Sequence, residues 1–197
     1  GAVAIKAAVE RAGIQVEDVQ EILMGCVLHA GLGQAPARQA TLGAGLPQSV
    51  PATTISKVCG SGMKAVMLAH DLIAAGTNNV MVAGGMESMT NAPYLLPTAR
   101  GGMRLGHAQA IDHMFFDGLE DAYDKGKLMG VFAESCASQF SFSREAQDEF
   151  AIMSTKRSQD AINNGQFAWE IAPVTIKGRG GDTVFATDEQ PLNAKIE

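Results

Sequence analysis

The sequence predicts an α/β protein built on a mostly parallel sheet. Short apolar runs of strand length, at residues 21–28, 52–58 and 79–83, alternate with segments of helical spacing. Glycines gather at the junctions between those runs, in GLG, CGSG, AGG and RGG, and not in repeats. There are 22 of them in 197 residues, above the ordinary share of about 7%. That pattern suits tight strand–helix turns around a core, which a 46% hydrophobic content supports.

In chain order, residues 3–12 have helical spacing, and Gly13 is a fitting stop. Residues 21–28 (EILMGCVL) read as a buried strand. Residues 34–42 suggest a helix with Pro36 tolerated in its first turn. Residues 52–58 form the next strand, rich in Thr, Ile and Val. Residues 61–75 form a helix whose polar side chains, past its first residue, are Lys64, His70 and Asp71, so it is expected to be buried on most sides. At about 15 residues it is too short to span a membrane. Residues 79–83 (NVMVA) make a third strand, closed by Gly84-Gly85.

Past Ala92 the texture changes, with Pro93, Pro97, Arg100, Gly101, Gly102 and Arg104 in a long irregular stretch. Ser143 is placed to cap a helix running to Asn164 and ended by Gly165. Residues 170–176 and 183–186 read as strands around the turn KGRGGD. The expected boundary lies near residue 92, with a core domain at 1–92 and an α+β domain at 93–197.

A formal net charge of −6 and the lack of a basic run argue against a general nucleic-acid binder. Three cysteines without a CxxC make no disulfide framework and favour a reducing compartment. No stretch has the apolar length of a membrane helix. The chain opens without Met inside a helix-like pattern, so a leader before it is compatible with the sequence. The expected location is the cytoplasm, or an organellar matrix if a leader was removed.

The most telling stretch is Lys57-Val58-Cys59-Gly60-Ser61-Gly62-Met63. Cys59 ends an apolar run and stands at the start of a helix. The positive helix end favours an anion there, and the thiolate is the nucleophilic form of cysteine. Gly60 and Gly62 allow a substrate close to the backbone. The competing reading is a small cysteine packed under a turn. Cys26, inside ILMGCVL, reads as a buried structural thiol, and Cys136, in AESCASQF, as packed on an amphipathic helix.

The histidines offer no obvious base. His70 lies about 16 Å from Cys59 along one helix, and His29 sits in a loop that borders the strand ends. His107 and His113, with Asp112 and Asp117 nearby, imitate metal ligands, but their spacing fits no zinc pattern and reads as loop surface; no metal is expected. GGMESM at residues 84–89 lacks the ending of a phosphate loop.

The run VCGSGMKAVMLAHDLIAAGTNNVMVAGGMESMTNAPYLLP resembles the nucleophile region of the thiolases, the acetyl-CoA C-acyltransferases. The resemblance extends upstream through MGCVLHAGLGQAPARQATLGAGLP. Downstream it continues through GMRLG, DGLEDAY, FAESCASQFSFSREAQDEFA and EIAPVTIKGRGGDTVFATDE. It implies a layered α/β/α fold of two similar halves. This chain would be an incomplete N-terminal half, lacking its first and last strands, with an α+β loop domain inserted. The resemblance further implies condensation of two acyl-CoA molecules, or thiolysis of 3-ketoacyl-CoA, through an acyl thioester on Cys59.

Thiolases draw their base from a Gly-His-Pro motif, their second acid/base from another cysteine, and an oxyanion-site water from Asn-Glu-Ala-Phe. None of these occurs here, which implies that they belong to an absent half and that this chain alone is inactive. Met129 and Gly130 match a His-Met-Gly motif that lines the acyl and pantetheine pocket, with Leu128 in place of the histidine. That departure argues against a strict acetoacetyl preference, or is neutral. Arg100, Arg104, Lys125, Lys127, Lys177 and Arg179 are candidates for the phosphates of coenzyme A, each weighed against solvated surface charge. The implied partners are acyl-CoA and coenzyme A, as substrates and not cofactors, and further copies in a homodimer or homotetramer. The alternatives are a ketoacyl synthase with a related cysteine nucleophile, and a non-catalytic acyl-CoA- or lipid-binding or scaffold fragment.

Overall fold

In the computed structural model, which describes residues 1–196, three parallel strands form a sheet. They are β1 (Glu21–Gly25), β2 (Ala52–Ile55) and β3 (Met81–Gly85), in the order β2-β1-β3. Gly25 at the end of β1 stands opposite Ile55 on one side and Gly85 on the other. A central parallel strand buries both faces. Ile22 and Met24 join the core built with α1 (Ala2–Ala12) and α2 (Pro36–Gly43), through Ile5, Val9 and Ala37. Leu23 points the other way, to Ala65 and Ala69 of α3 (Ser61–Ala74). Each fully buried aliphatic side chain contributes about 1.5–3 kcal/mol.

The helix ends follow from local chemistry. Gly13, at φ 68°, stops α1 and donates its N–H to the Glu10 carbonyl. Pro36 opens α2, and its preceding residue, Ala35, has no capping side chain. Thr54 of β2 supplies the cap instead: its Oγ1 accepts the Ala37 N–H at 3.1 Å, tying helix to strand.

Several boundaries differ from expectation. β1 ends at Gly25 because the Val27 and Leu28 N–H groups turn to the Glu87 carboxylate. β3 begins two residues late and includes Gly84 and Gly85, which pair with Met24 and Gly25. The expectation that α3 is buried on most sides is corrected for this chain. It buries Ser61, Ala65 and Ala69, while Met63, Val66 and Met67 remain 73%, 54% and 50% exposed. No element of its unit covers that outer face.

The chain makes two compact units, Gly1–Met129 and the part from Gly130 onward. Residues 93–129 fall in the first unit together with the sheet. This stretch holds an antiparallel pair, β4 (Tyr94–Leu95) and β5 (Ile111–Asp112), and a π-helical turn, Met114–Leu119. Asp112 Oδ1 accepts the Met114 N–H at 2.9 Å to start the turn, and the Glu120 N–H donates to the Phe115 carbonyl at 2.8 Å to close it.

The second unit takes up most of α4 (Met129–Gln139) and contains α5 (Arg144–Asn163), the hairpin β6 (Val174–Ile176) and β7 (Thr183–Phe185), and α6 (Glu189–Asn193). Ser143 caps α5 as expected, its Oγ accepting the Ala146 N–H at 3.2 Å. Among the described residues no helix is long and apolar enough to cross a membrane.

Candidate active site

Parallel strands bring their C-terminal ends to one edge of the sheet, where α/β proteins bind ligands. A cleft of about 450 Å³ opens at that edge. Val27 and Leu28 line it after β1, Cys59 and Gly62 from the β2–α3 junction, and Glu87 and Met89 after β3. Met114 and Leu119 of the π-helical turn form a further wall.

Cys59 is exposed in this cleft, one residue ahead of Gly60, the N-cap of α3. The turn that presents it is strained. Val58 has φ 45°, a left-handed conformation that a β-branched residue rarely adopts and that costs about 1–3 kcal/mol. Ser61, 4% exposed, holds the turn. Its Oγ accepts the Lys57 N–H at 2.8 Å and donates to the Val58 carbonyl at 2.6 Å. Cys59 thus stands at the positive end of a helix dipole, where negative charge is favoured.

Close glycine contacts set the position of that helix end. A Cβ on Gly25 would lie 2.6 Å from the Gly62 nitrogen and 2.7 Å from Ser61 Cβ. One on Gly85 would lie 3.4 Å from Gly62 Cα. The first is a clash and the second an ordinary contact, so it is the bare end of β1 that admits α3 this closely. The sequence reading missed Gly25 as a site residue; its signal was a glycine inside the apolar run EILMGCVL.

Glu87 braces the same edge. Oε2 accepts the Val27 N–H and Oε1 the Leu28 N–H, each at 2.9 Å, and Cys26 Sγ lies 3.7 Å from Oε1. Cys26 is 1% exposed, a buried thiol as expected. Burial pushes its pKa up, and the Glu87 charge and hydrogen bond add to the shift. Cys136 is not packed: it is exposed on α4, a helix with no buried residue.

His29, His70 and His107 are exposed, and no histidine lines the cleft. The surface reading of His113 is corrected. It is 5% exposed, with Nδ1 2.6 Å from Asp117 Oδ2, and its Nε2 accepts the Ala30 N–H at 3.4 Å. Among the described residues no group of three or more His, Cys, Asp and Glu side chains is placed to hold a metal ion. Leu128 bridges to Glu120, and Met129 opens α4; neither lines the cleft. Lys125 pairs with Glu120 at 3.4 Å and lies 4.4 Å over the Phe116 ring, and Lys127 pairs with Asp124. Arg100, Arg104, Lys177 and Arg179 are exposed.

The family model described as "Thiolase, N-terminal domain" matches residues 1–196. The chain belongs to the thiolase N-terminal domain family. Relatives within it include an acetyl-CoA acetyltransferase of Cupriavidus necator, 54% identical over 190 residues that cover 96% of this chain and 48% of that protein. Acetyl-CoA acetyltransferase IB of Candida tropicalis is 54% identical over 193 residues, covering 96% and 48%. The mitochondrial acetyl-CoA acetyltransferase A of Xenopus laevis is 54% identical over 190 residues, covering 96% and 44%. The chain spans about half the length of the curated thiolase relatives it matches.

Proposed function

We propose that the full-length protein carrying this chain is a thiolase that transfers acyl groups between coenzyme A thioesters, with Cys59 as the acyl acceptor. The observation that carries this reading is the exposed Cys59 at a helix start, in a cleft at the strand ends. The thiolate attacks the thioester carbonyl, the new C–S bond forms on Cys59, and the bond to the coenzyme A sulfur breaks. Coenzyme A leaves as a thiolate and takes up a proton. In condensation the α-carbon of a second acyl-CoA gives up a proton and bonds to the acyl carbon as the Cys59 C–S bond breaks. In thiolysis the Cys59 thiolate attacks the 3-keto carbonyl instead, the bond between the α- and β-carbons breaks, and the departing acyl-CoA takes a proton on its α-carbon. The acyl group then moves from Cys59 to the sulfur of free coenzyme A, which gives up its thiol proton. Backbone N–H groups at the start of α3 are suited to the developing oxyanion. The base for Cys59 and the second acid/base come from outside this chain, since no histidine lines the cleft. This chemistry runs on nucleophile and proton transfers and calls for no cofactor. Leu128 and Met129 border the acyl and pantetheine path in the complete site, and Leu128 biases it toward longer or branched chains. The protein works as a homodimer or homotetramer, in the cytoplasm or an organellar matrix.

Limited iodoacetamide treatment of the full-length protein, followed by peptide mapping, tests the assignment. Among this chain's cysteines, Cys59 should label before Cys136 and Cys26. Cys59→Ala should lower thiolysis of acetoacetyl-CoA by about a thousandfold or more. Faster labelling of Cys136, or retained turnover in the variant, rejects the assignment.

A further inference from the structure

We infer that His113 is a positioning residue that staples together two walls of the Cys59 cleft, and so sets how large a group reaches the thiol. It lies between β5 and the π-helical turn, and its backbone N–H donates to the Pro93 carbonyl at 3.2 Å. Its imidazole has a partner on each nitrogen. With Asp117 Oδ2 at 2.6 Å, Nδ1 carries the proton. Nε2 is then the acceptor, and it takes the Ala30 N–H at 3.4 Å. Asp117 belongs to the turn whose Met114 and Leu119 line the cleft, and Ala30 follows Val27 and Leu28, which line an adjoining wall. The contact spans 83 positions of sequence.

The neighbouring geometry makes the staple consequential. Glu87 accepts the N–H groups of Val27 and Leu28, and His113 holds a further donor, Ala30 N–H, along the same segment. Gly118 sits against Leu28, where an added Cβ would lie 3.2 Å from Cδ2. The walls are already at contact, and the imidazole is the polar link between them. An apolar replacement leaves the Ala30 N–H and the Asp117 carboxylate without this partner, which favours separation of the walls.

This inference adds a size filter to the thiolase reading but is testable without it. In the full-length protein, Cys59 labelling by iodoacetamide is compared with labelling by a bulky aryl maleimide. His113→Leu should raise the bulky-to-small rate ratio about fivefold or more. His113→Gln supplies one donor and one acceptor, and should restore the ratio to within about twofold of the parent. Asp117→Leu should behave like His113→Leu, and decides the matter if that variant does not fold. In thiolysis, His113→Leu should raise KM for acetoacetyl-CoA about fivefold with kcat within about twofold. An unchanged labelling ratio in the Leu variants, or a Gln variant no better than Leu, overturns the staple. A parent protein without thiolase turnover would overturn the activity and leave the labelling ratios to judge the staple.

Discussion

Cys26 and Cys59 show how position decides what a thiol does. Both lie at strand ends of the same edge, yet one is 1% exposed against Glu87 and the other opens into the cleft. Burial first, and then the Glu87 carboxylate, hold the Cys26 proton more tightly than in the unfolded chain. That contribution to stability is fully present below the ordinary thiol pKa of about 8.5 and is lost as pH rises through the raised folded value. Urea midpoints measured from about pH 8 to about pH 10 should therefore fall. Cys26→Ala should flatten that decline, whatever it does to the midpoint at neutral pH. An equally steep decline in the variant would show that another group titrates.

At the scale of elements, the junction of α3 with β1 depends on what is missing from one residue. Gly25 lets the strand end meet the backbone of Ser61 and Gly62, and Ser61 ties the strained Val58 turn to the helix start. Gly25→Ala places a methyl 2.6 Å from the Gly62 nitrogen, with no flexible side chain to yield. Overpacking of this kind costs about 1–3 kcal/mol. The variant should lose that much in chemical denaturation and should also label more slowly at Cys59, because the helix end must move. Gly13→Ala, at the open end of α1, should lose stability through its positive φ without slowing the label. Equal labelling rates in both variants would remove Gly25 from the site.

At the scale of the whole molecule, α3 presents Met63, Val66, Met67 and Ile73 at exposures from 44% to 73%. An apolar stripe of that size on a helix calls for cover. The 197-residue chain expressed alone should accordingly associate or precipitate, and it should show no thiolysis of acetoacetyl-CoA, since no histidine lines the cleft around Cys59. Size-exclusion chromatography and a thiolysis assay on that chain check both parts. A soluble monomer with turnover would refute the need for outside catalytic groups.

The sequence by itself determined the α/β class, the order of elements from α1 to β3, the cap at Ser143 and the candidate nucleophile. These rest on short-range signals: apolar period, a proline in a first turn, glycine stops, and a cysteine between glycines at a helix start. The family resemblance added the chemistry. Tertiary structure alone decided which faces were covered and which distant groups met. Glu87 reaches Val27 and Leu28 from about sixty positions away, and His113 reaches Ala30 from 83. A histidine in an irregular, polar stretch reads as surface until the fold turns that stretch back onto the strand ends. The open face of α3 has the same origin. Composition tells that a helix wants burial, but only the arrangement of its neighbours tells where burial is supplied.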